Sequence, residues 1–291
     1  MPWKKRFNGW NAFISFILIL LGAAAIYPMI YIFVISISDG NLVMAGKVFL
    51  YPRGINFKAY QIVFESPDFL RSYANTLLYT FTGTLINLGA TILYAYPLSR
   101  RDFYGRTFFT AMIAFTMFFS GGLIPSYLVV KQFGLINTMW ALIFPVAINT
   151  WYMIIMRTFF QSIPDTIQES AHIDGANDLV ILLKIIIPLS VPIIATMILF
   201  YAVYHWNSFF SALIYLNEKK KYPVQIILRN IVIAGELERN NNSVGADTNF
   251  ITVATNFKYA VIIISTLPIL AVYPFIQKYF TKGVMVGAIK G

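Results

Sequence analysis

Six long stretches without a single Asp, Glu, Lys or Arg divide this chain: Asn11 to Ser38, Ser72 to Ser99, Thr107 to Val130, Gln132 to Met156, Ile185 to Asn217 and Tyr259 to Gln277. A bilayer core about 30 Å thick is crossed by a helix of ~18–20 apolar residues, so each stretch is long enough for one crossing. A water-soluble fold can bury one such helix. Burying six in 291 residues would leave too little amphipathic material to cover them. The composition agrees, with 58% hydrophobic and 12% charged residues against roughly 25% charged in an ordinary soluble domain. The expectation is an all-α integral membrane protein whose single domain fills residues 1–291, with helices at about 11–38, 72–99, 107–130, 132–156, 188–217 and 259–280.

Several function classes fall away at once. The first stretch is longer than a signal-peptide core, carries its basic residues before it and lacks a small-residue cleavage pattern after it, so it is expected to stay attached as helix one. The chain has no cysteine and only two histidines, His172 and His205, which excludes disulfides and thiolate metal sites and leaves too few ligands for a histidine metal cluster. No GxxxxGK[ST] phosphate loop occurs, so ATP and Mg2+ are not expected to bind here. The net charge of +10 invites a nucleic-acid reading. The Lys and Arg residues, however, are spread over every loop and tail, as contacts with lipid headgroups and membrane orientation require.

That orientation is not decided by the total, because the basic residues divide evenly between the two sides. Placement decides it. Lys4-Lys5-Arg6 precedes helix one, and Arg100, Arg101 and Arg106 crowd one short loop; the bias counts most near span ends and on the first helix. Both termini are then cytoplasmic, with external loops at 39–71 and 218–258. The run Lys219-Lys220-Lys221 opposes this assignment. Within the second external loop Tyr222 to Ala234 has the spacing of an amphipathic helix, and Glu236 to Ser243 reads as flexible chain.

The cytoplasmic loop between helices four and five has unusual residue choices. Ser162 can cap a short helix starting at Ile163-Pro164-Asp165, Asp174-Gly175 can end it, and Asn177 or Asp178 can cap a second one through Ile187, ended by Pro188 and Pro192. Ile167 and Ala171 share a face, Ser170 and Ala171 are small, and Glu169 and Asp174 are anionic handles. These choices suit docking into a cleft with basic groups. An ordinary solvated connector with good caps fits the same residues.

The spacing adds to this reading. Glu169-Ser170-Ala171, three residues, Gly175, nine residues, then Ile185-x-Ile187-Pro188 resembles the EAA loop of ABC importer permeases, with Ser170 and Ile187 as mild departures. Asp174-Gly175-Ala176 and Pro188-Leu189-Ser190-Val191-Pro192 resemble the carbohydrate members, particularly the smaller permease subunit of the maltose type. Asn75-Thr76-Leu77, Tyr96 to Arg100, Gly121 to Pro125, Phe133 to Thr138, Trp206 to Phe210 and the tail Lys282 to Gly291 are similar to the same group, so the resemblance covers nearly the whole chain. It implies a type I ABC importer permease fold, six transmembrane helices and a cytoplasmic coupling helix in loop 161–190. It also implies the partners: a second permease subunit, two ATPase subunits that bind ATP and Mg2+, and an extracytoplasmic solute-binding protein. Glu169 would pair with a basic residue of the ATPase, Ser170 and Ala171 would allow close contact, Gly175 would make the turn, and the tail would reach toward the ATPase pair. The chain itself would not be an enzyme.

A sugar cargo, implied by the resemblance to permeases for oligosaccharides, needs hydroxyl partners and flat apolar surfaces. Polar side chains at membrane depth usually face the bundle or a wet cavity. The candidates for the path are Asn149, Trp151 and Tyr152 in helix four and Tyr201, Tyr204, His205, Trp206 and Asn207 in helix five. Each can equally serve helix packing. Pro97, Pro125, Pro145, Pro192 and Pro268 are candidate kinks. The alternatives are a peptide or amino-acid permease of the same superfamily and, from the lone intramembrane His205, a proton-coupled carrier or channel.

Overall fold

A computed structural model of the chain describes residues 9–240, 256–272 and 274. Among these residues every regular element is helical. Helix α1 (Gly9–Ser36) is followed by the short helices α2 (Gly40–Met44) and α3 (Lys58–Glu65), and then by α4 (Pro67–Ser99). Both α1, of 28 residues, and α4, of 33, are long and apolar enough to cross a membrane unbroken.

The next two expected helices are not continuous. The stretch 107–130 divides into α5 (Arg106–Phe118) and α6 (Leu123–Gln132), bent by 118°. Hydropathy averages straight across Gly121-Gly122. The backbone instead turns there, with Ser120 Oγ accepting the Gly122 N–H at 3.3 Å and Ser126 Oγ donating to the Gly122 carbonyl at 2.7 Å. Pro125 falls in the first turn of α6, where a missing N–H costs nothing. The stretch 132–156 likewise divides. Helix α7 (Trp140–Ile143) tightens into a 3-10 turn at Phe144–Val146 around Pro145, and α8 (Thr150–Gln161) leaves at 53°.

Helix α9 (Asp165–Ile173) is followed by α10 (Asp178–Ile181), which widens into a π turn at Leu182–Ile186 before α11 (Ile187–Leu189). The widening has a reason in Pro188, which has no N–H for the carbonyl one turn back and whose ring crowds that carbonyl. The helix therefore runs through Pro188 and ends at Ser190, where the chain bends by 85° into α12 (Val191–Trp206). Helix α12 stops at Trp206, short of the expected end at 217, and α13 (Phe210–Tyr215) is separate. Helix α14 (Val224–Asn240) covers the amphipathic stretch and continues through Glu236 to Asn240, where irregular chain was expected. The last helix among the described residues, α15 (Asn256–Val272), is an apolar segment. The tail 282–291 lies outside the described residues.

The chain forms two compact units. The first comprises residues up to 67 with 228–267. In it Val34, Ile35 and Val48 make a small core with Tyr31, Leu42 and Tyr259 against it. Asp39 caps α2 by accepting from the Asn41 N–H at 2.9 Å, and Asn256 Nδ2 donates to the Ser38 carbonyl at 2.7 Å. The loop 39–71 is thus ordered by helices and caps.

The second unit comprises residues 68–227 and 268–291 and holds two cores strung along α4. One gathers Ile92, Ala95 and Tyr96 of α4, Met153 and Met156 of α8, Ala171 of α9, Ile181 to Ile186, and Ile193 and Met197 of α12. The other gathers Tyr79 of α4 with Val130, Leu142, Ala212, Tyr215, Leu216 and Ile226. Residues 79 and 98 are 19 apart, which on an α-helix is about 30 Å, the thickness of the hydrocarbon layer.

Candidate functional site

At the first core, α9 is anchored by one side and displayed by the other. Ala171 and Gln168 are buried, with the Tyr96 hydroxyl 3.5 Å from Gln168 Oε1. Glu169, Ser170, Asp174 and Gly175 are exposed. Ala171 therefore packs its methyl into the chain's own core, and Ile167, a partner on the expected docking face, is only partly displayed. The outward apolar group is Ile173, 87% exposed. Ser170 Oγ donates back to the Thr166 carbonyl at 2.8 Å.

The two ends of α9 differ from expectation in one respect. Ser162 Oγ donates to Phe159 O at 2.7 Å and finishes α8, while extended Pro164 starts α9 at Asp165. The reason is geometric: Ser162 is itself helical (φ −81°, ψ −12°) and cannot present its oxygen forward as an N-cap does. Gly175 takes φ 83°, a left-handed conformation that favours glycine. A Cβ there would touch nothing within 4 Å, so only the backbone demands glycine. Asn177 caps α10 through the Val180 N–H at 2.9 Å. His172 bridges the turn, with Nδ1 3.1 Å from Ala176 O and Nε2 3.5 Å from Asp178 Oδ1.

The path candidates separate into two sets. Tyr201, His205 and Trp206 are buried at 1%, 4% and 4% exposure, inside helix packing. Tyr201 OH and Thr91 Oγ1 are 2.6 Å apart, and the Asn149 N–H donates to Tyr201 OH at 3.3 Å. His205 Nε2 lies 3.2 Å from Asn87 Nδ2, which donates to Val146 O at 2.9 Å. The His205 ring lies flat on Gly83, where a Cβ would come within 2.5 Å of Nε2. The Trp206 ring meets Tyr73 edge-on at 5.7 Å. These three side chains fasten α12 to α4, and His205 faces an amide and a glycine, with no carboxylate beside it among the described residues.

The second set is accessible. Trp151, Tyr204 and Asn207 are exposed, and Tyr152 is half-buried with its ring against Phe200 and Tyr201. Tyr204 stacks edge-on against His205 at 5.4 Å, and Asn207 Nδ2 donates to Val203 O at 2.9 Å. Asn149 is the N-cap of α8, accepting from the Tyr152 N–H at 3.1 Å. It marks a helix break, where Asn87 of α4 donates to the preceding Val146 carbonyl and Tyr201 of α12 accepts the Asn149 N–H.

The residues missed at the sequence level are Gly83, Asn87 and Thr91. Their signal is the spacing i, i+4, i+8 on α4, which places one small and two polar groups on one face.

At the far end of α4, Asn75 Nδ2 donates to Lys220 O at 2.8 Å and Tyr222 O at 3.2 Å, Tyr79 OH donates to Lys221 O at 3.0 Å, and Thr76 Oγ1 accepts from the Val224 N–H at 2.8 Å. Asn137, at φ 62°, clasps the same loop. Its Oδ1 accepts from the Asn217 and Glu218 N–H groups and its Nδ2 donates to Glu218 Oε1, while Lys221 Nζ reaches Asn137 O at 3.0 Å and Glu218 Oε1 at 3.1 Å. The hydrogen bond from Lys221, then that from Asn137, holds the exposed Glu218 carboxyl below its ordinary range.

The family described as "Binding-protein-dependent transport system inner membrane component" matches residues 87–286. The chain belongs to this family. It is the membrane component of a transporter, and the displayed α9 element and both α4 cores lie largely within the matched region. Among its relatives, Protein LplC of Bacillus subtilis (strain 168) is 44% identical over 273 residues, covering 93% of this chain and 91% of that protein. The polygalacturonan/rhamnogalacturonan transport system permease protein YtcP of the same organism is 42% identical over 275 residues, covering 94% and 96%. A chain in the crystal structure of a bacterial ABC transporter involved in the import of the acidic polysaccharide alginate superposes with a TM-score of 0.84 at 35% identity, covering 96% of this chain and 100% of that one.

Proposed function

We propose that this inner-membrane component is one permease subunit of an ATP-driven importer for carbohydrate, an oligosaccharide in particular. The observation that carries the coupling role is the disposition of α9: Ala171 and Gln168 root it in the helix core while Glu169, Ser170, Ile173 and Asp174 face outward. A short helix held in this way can pass a displacement of a docked ATPase to α8, α10 and α12, which share its core. The relatives named for polysaccharide transport, and the alginate transporter of like fold, support a carbohydrate cargo.

In this reading the six crossings are α1, α4, the three bent helix pairs and α15. Both termini and α9 are cytoplasmic. A second permease subunit completes the pathway, two ATPase subunits hold ATP and Mg2+, and a solute-binding protein delivers cargo from outside. Trp151, Tyr152, Tyr204 and Asn207 are the side chains of this chain that offer sugar a flat apolar surface or a hydrogen bond. Tyr201, His205 and Trp206 act one layer behind them, by holding α12 to α4.

Glu169→Lys reverses the charge of an exposed group, and Gly175→Pro demands φ near −65° where the chain has 83°. The importer carrying both changes is expected to assemble in the membrane but to lose ATP-dependent uptake in reconstituted vesicles. Undiminished uptake would refute the docking role of α9.

A further inference from the structure

The lysine run at 219–221 is the one charge cluster that the orientation of the chain leaves unexplained. Under the reading above it lies outside, against the usual bias of positive residues toward the cytoplasm. It is also held with unusual firmness. The carbonyls of Lys220, Lys221 and Tyr222 are each taken by a side chain of α4, and the Val224 N–H by Thr76. Asn137 fastens the same loop from the other side. A loop needed only as a connector has no use for this.

The fastening treats the three ammonium groups differently. Lys221 is turned inward and neutralised by Glu218. Lys219 and Lys220 are exposed and make no ion pair among the described residues. Arg71 is exposed one helical turn before Asn75, and Lys131 is exposed at the end of α6, shortly before Asn137. Against these stand Asp68 and the already paired Glu218. This end of the unit therefore carries a surplus of positive charge on a rigid frame.

The same end holds the mouth of the candidate path. Trp206 meets Tyr73, two residues from Asn75, which places exposed Asn207 at the level of the lysine loop. The coupling element is about 30 Å away along α4. We infer that Lys219, Lys220 and Arg71 form an electropositive collar at the extracytoplasmic mouth and that the cargo is a polyanionic carbohydrate, a chain of uronate units. The inference rests on the carbohydrate reading above and names the class of its substrate. Lysine suits the task because a compact charge on a flexible stem can follow carboxylates at varied spacing without locking them in place. A collar of one sign raises the local concentration of an opposite charge and speeds its capture.

The test uses the complete importer with its binding protein in neutral-lipid vesicles, comparing the parent with Lys219→Gln/Lys220→Gln. The probes are an oligogalacturonide and its methyl-esterified, uncharged counterpart. Removing two exposed charges should lower the ratio of acid to ester uptake about fivefold, and raising the salt concentration should lower that ratio in the parent more than in the variant. If the binding protein does not deliver the ester, the readout is the KM for the acid and its salt slope: the variant should show a higher KM and a flatter slope. Equal losses on acid and ester, or a variant whose defect is a raised binding-protein requirement alone, would overturn the inference in favour of protein docking. No change in neutral lipid with a change only in anionic lipid would overturn it in favour of headgroup binding. A parent importer that moves no carbohydrate at all would instead sink the functional reading on which it rests.

Discussion

Gly83→Ala tests whether α4 and α12 are held at their separation by the His205 ring. An alanine Cβ at this position would lie 2.5, 2.6 and 2.7 Å from Nε2, Cε1 and Cδ2 of His205, where ordinary contacts are about 3.5–4.0 Å. The ring must retreat by about 1 Å. It has little freedom to do so, being 4% exposed and 3.2 Å from the Asn87 amide. Overpacking of this kind costs about 1–3 kcal/mol, and replacing glycine by alanine inside a helix returns about 0.5–1 kcal/mol. The expected net loss is about 1–2 kcal/mol. With His205→Ala already present the crowding is gone, and Gly83→Ala should then stabilise by the helix term alone. The double-mutant cycle thus carries a coupling of about 2 kcal/mol. The assay is the apparent melting midpoint of the purified importer in detergent, read by tryptophan fluorescence at a fixed scan rate. If Gly83→Ala lowers the midpoint equally in both backgrounds, the ring is not what sets the separation.

Three further outcomes are expected. Thr84 Oγ1 is buried without a hydrogen-bond partner, so Thr84→Val should be neutral or mildly stabilising, whereas Thr91→Val, which breaks the 2.6 Å contact to Tyr201, should cost about 1 kcal/mol; the same melting assay separates them, and equal losses would contradict the packing described. Asn137→Gly keeps the φ of 62° and removes only the side-chain clasp, while Asn137→Ala adds a left-handed backbone penalty of about 1–2 kcal/mol; hydrogen exchange at 215–222 should rise in both and more in the alanine variant. The Glu218 carboxyl titrates below its ordinary 4.5, so its clasp is at full strength above that value and is lost as pH falls through the lower folded value; exchange in the same loop should therefore rise on acidification, and Glu218→Gln should flatten the profile.

The helical class is legible in the sequence because charge-free runs of this length have few other solutions, whereas α4 begins at Pro67, ahead of the charge-free run at Ser72. The breaks are not legible, since a hydropathy window sums over Gly121-Gly122 and over Asn149 as if they were helix interior. The α9 turn is legible at Gly175 and Asn177, whose conformations follow from residue chemistry. Ser162 misleads because a serine can bond backward as readily as forward, and only its backbone angles decide. Among the path candidates, Tyr201 and Tyr204 lie only about 60° apart around α12, yet one is 1% and the other 38% exposed. Which side is buried depends on Gly83, Asn87 and Thr91, more than 100 positions away.

Helix α4 bolts the lysine loop at one end through Asn75, Thr76 and Tyr79, and at the other end its Leu98 carbonyl receives Arg157 Nε at 2.9 Å. A single unbroken helix of 33 residues has almost no give along its axis. Whatever displaces one end arrives at the other in phase, as along a push-rod. Under the proposed function, the lysine loop and α9 are therefore expected to move together in this subunit.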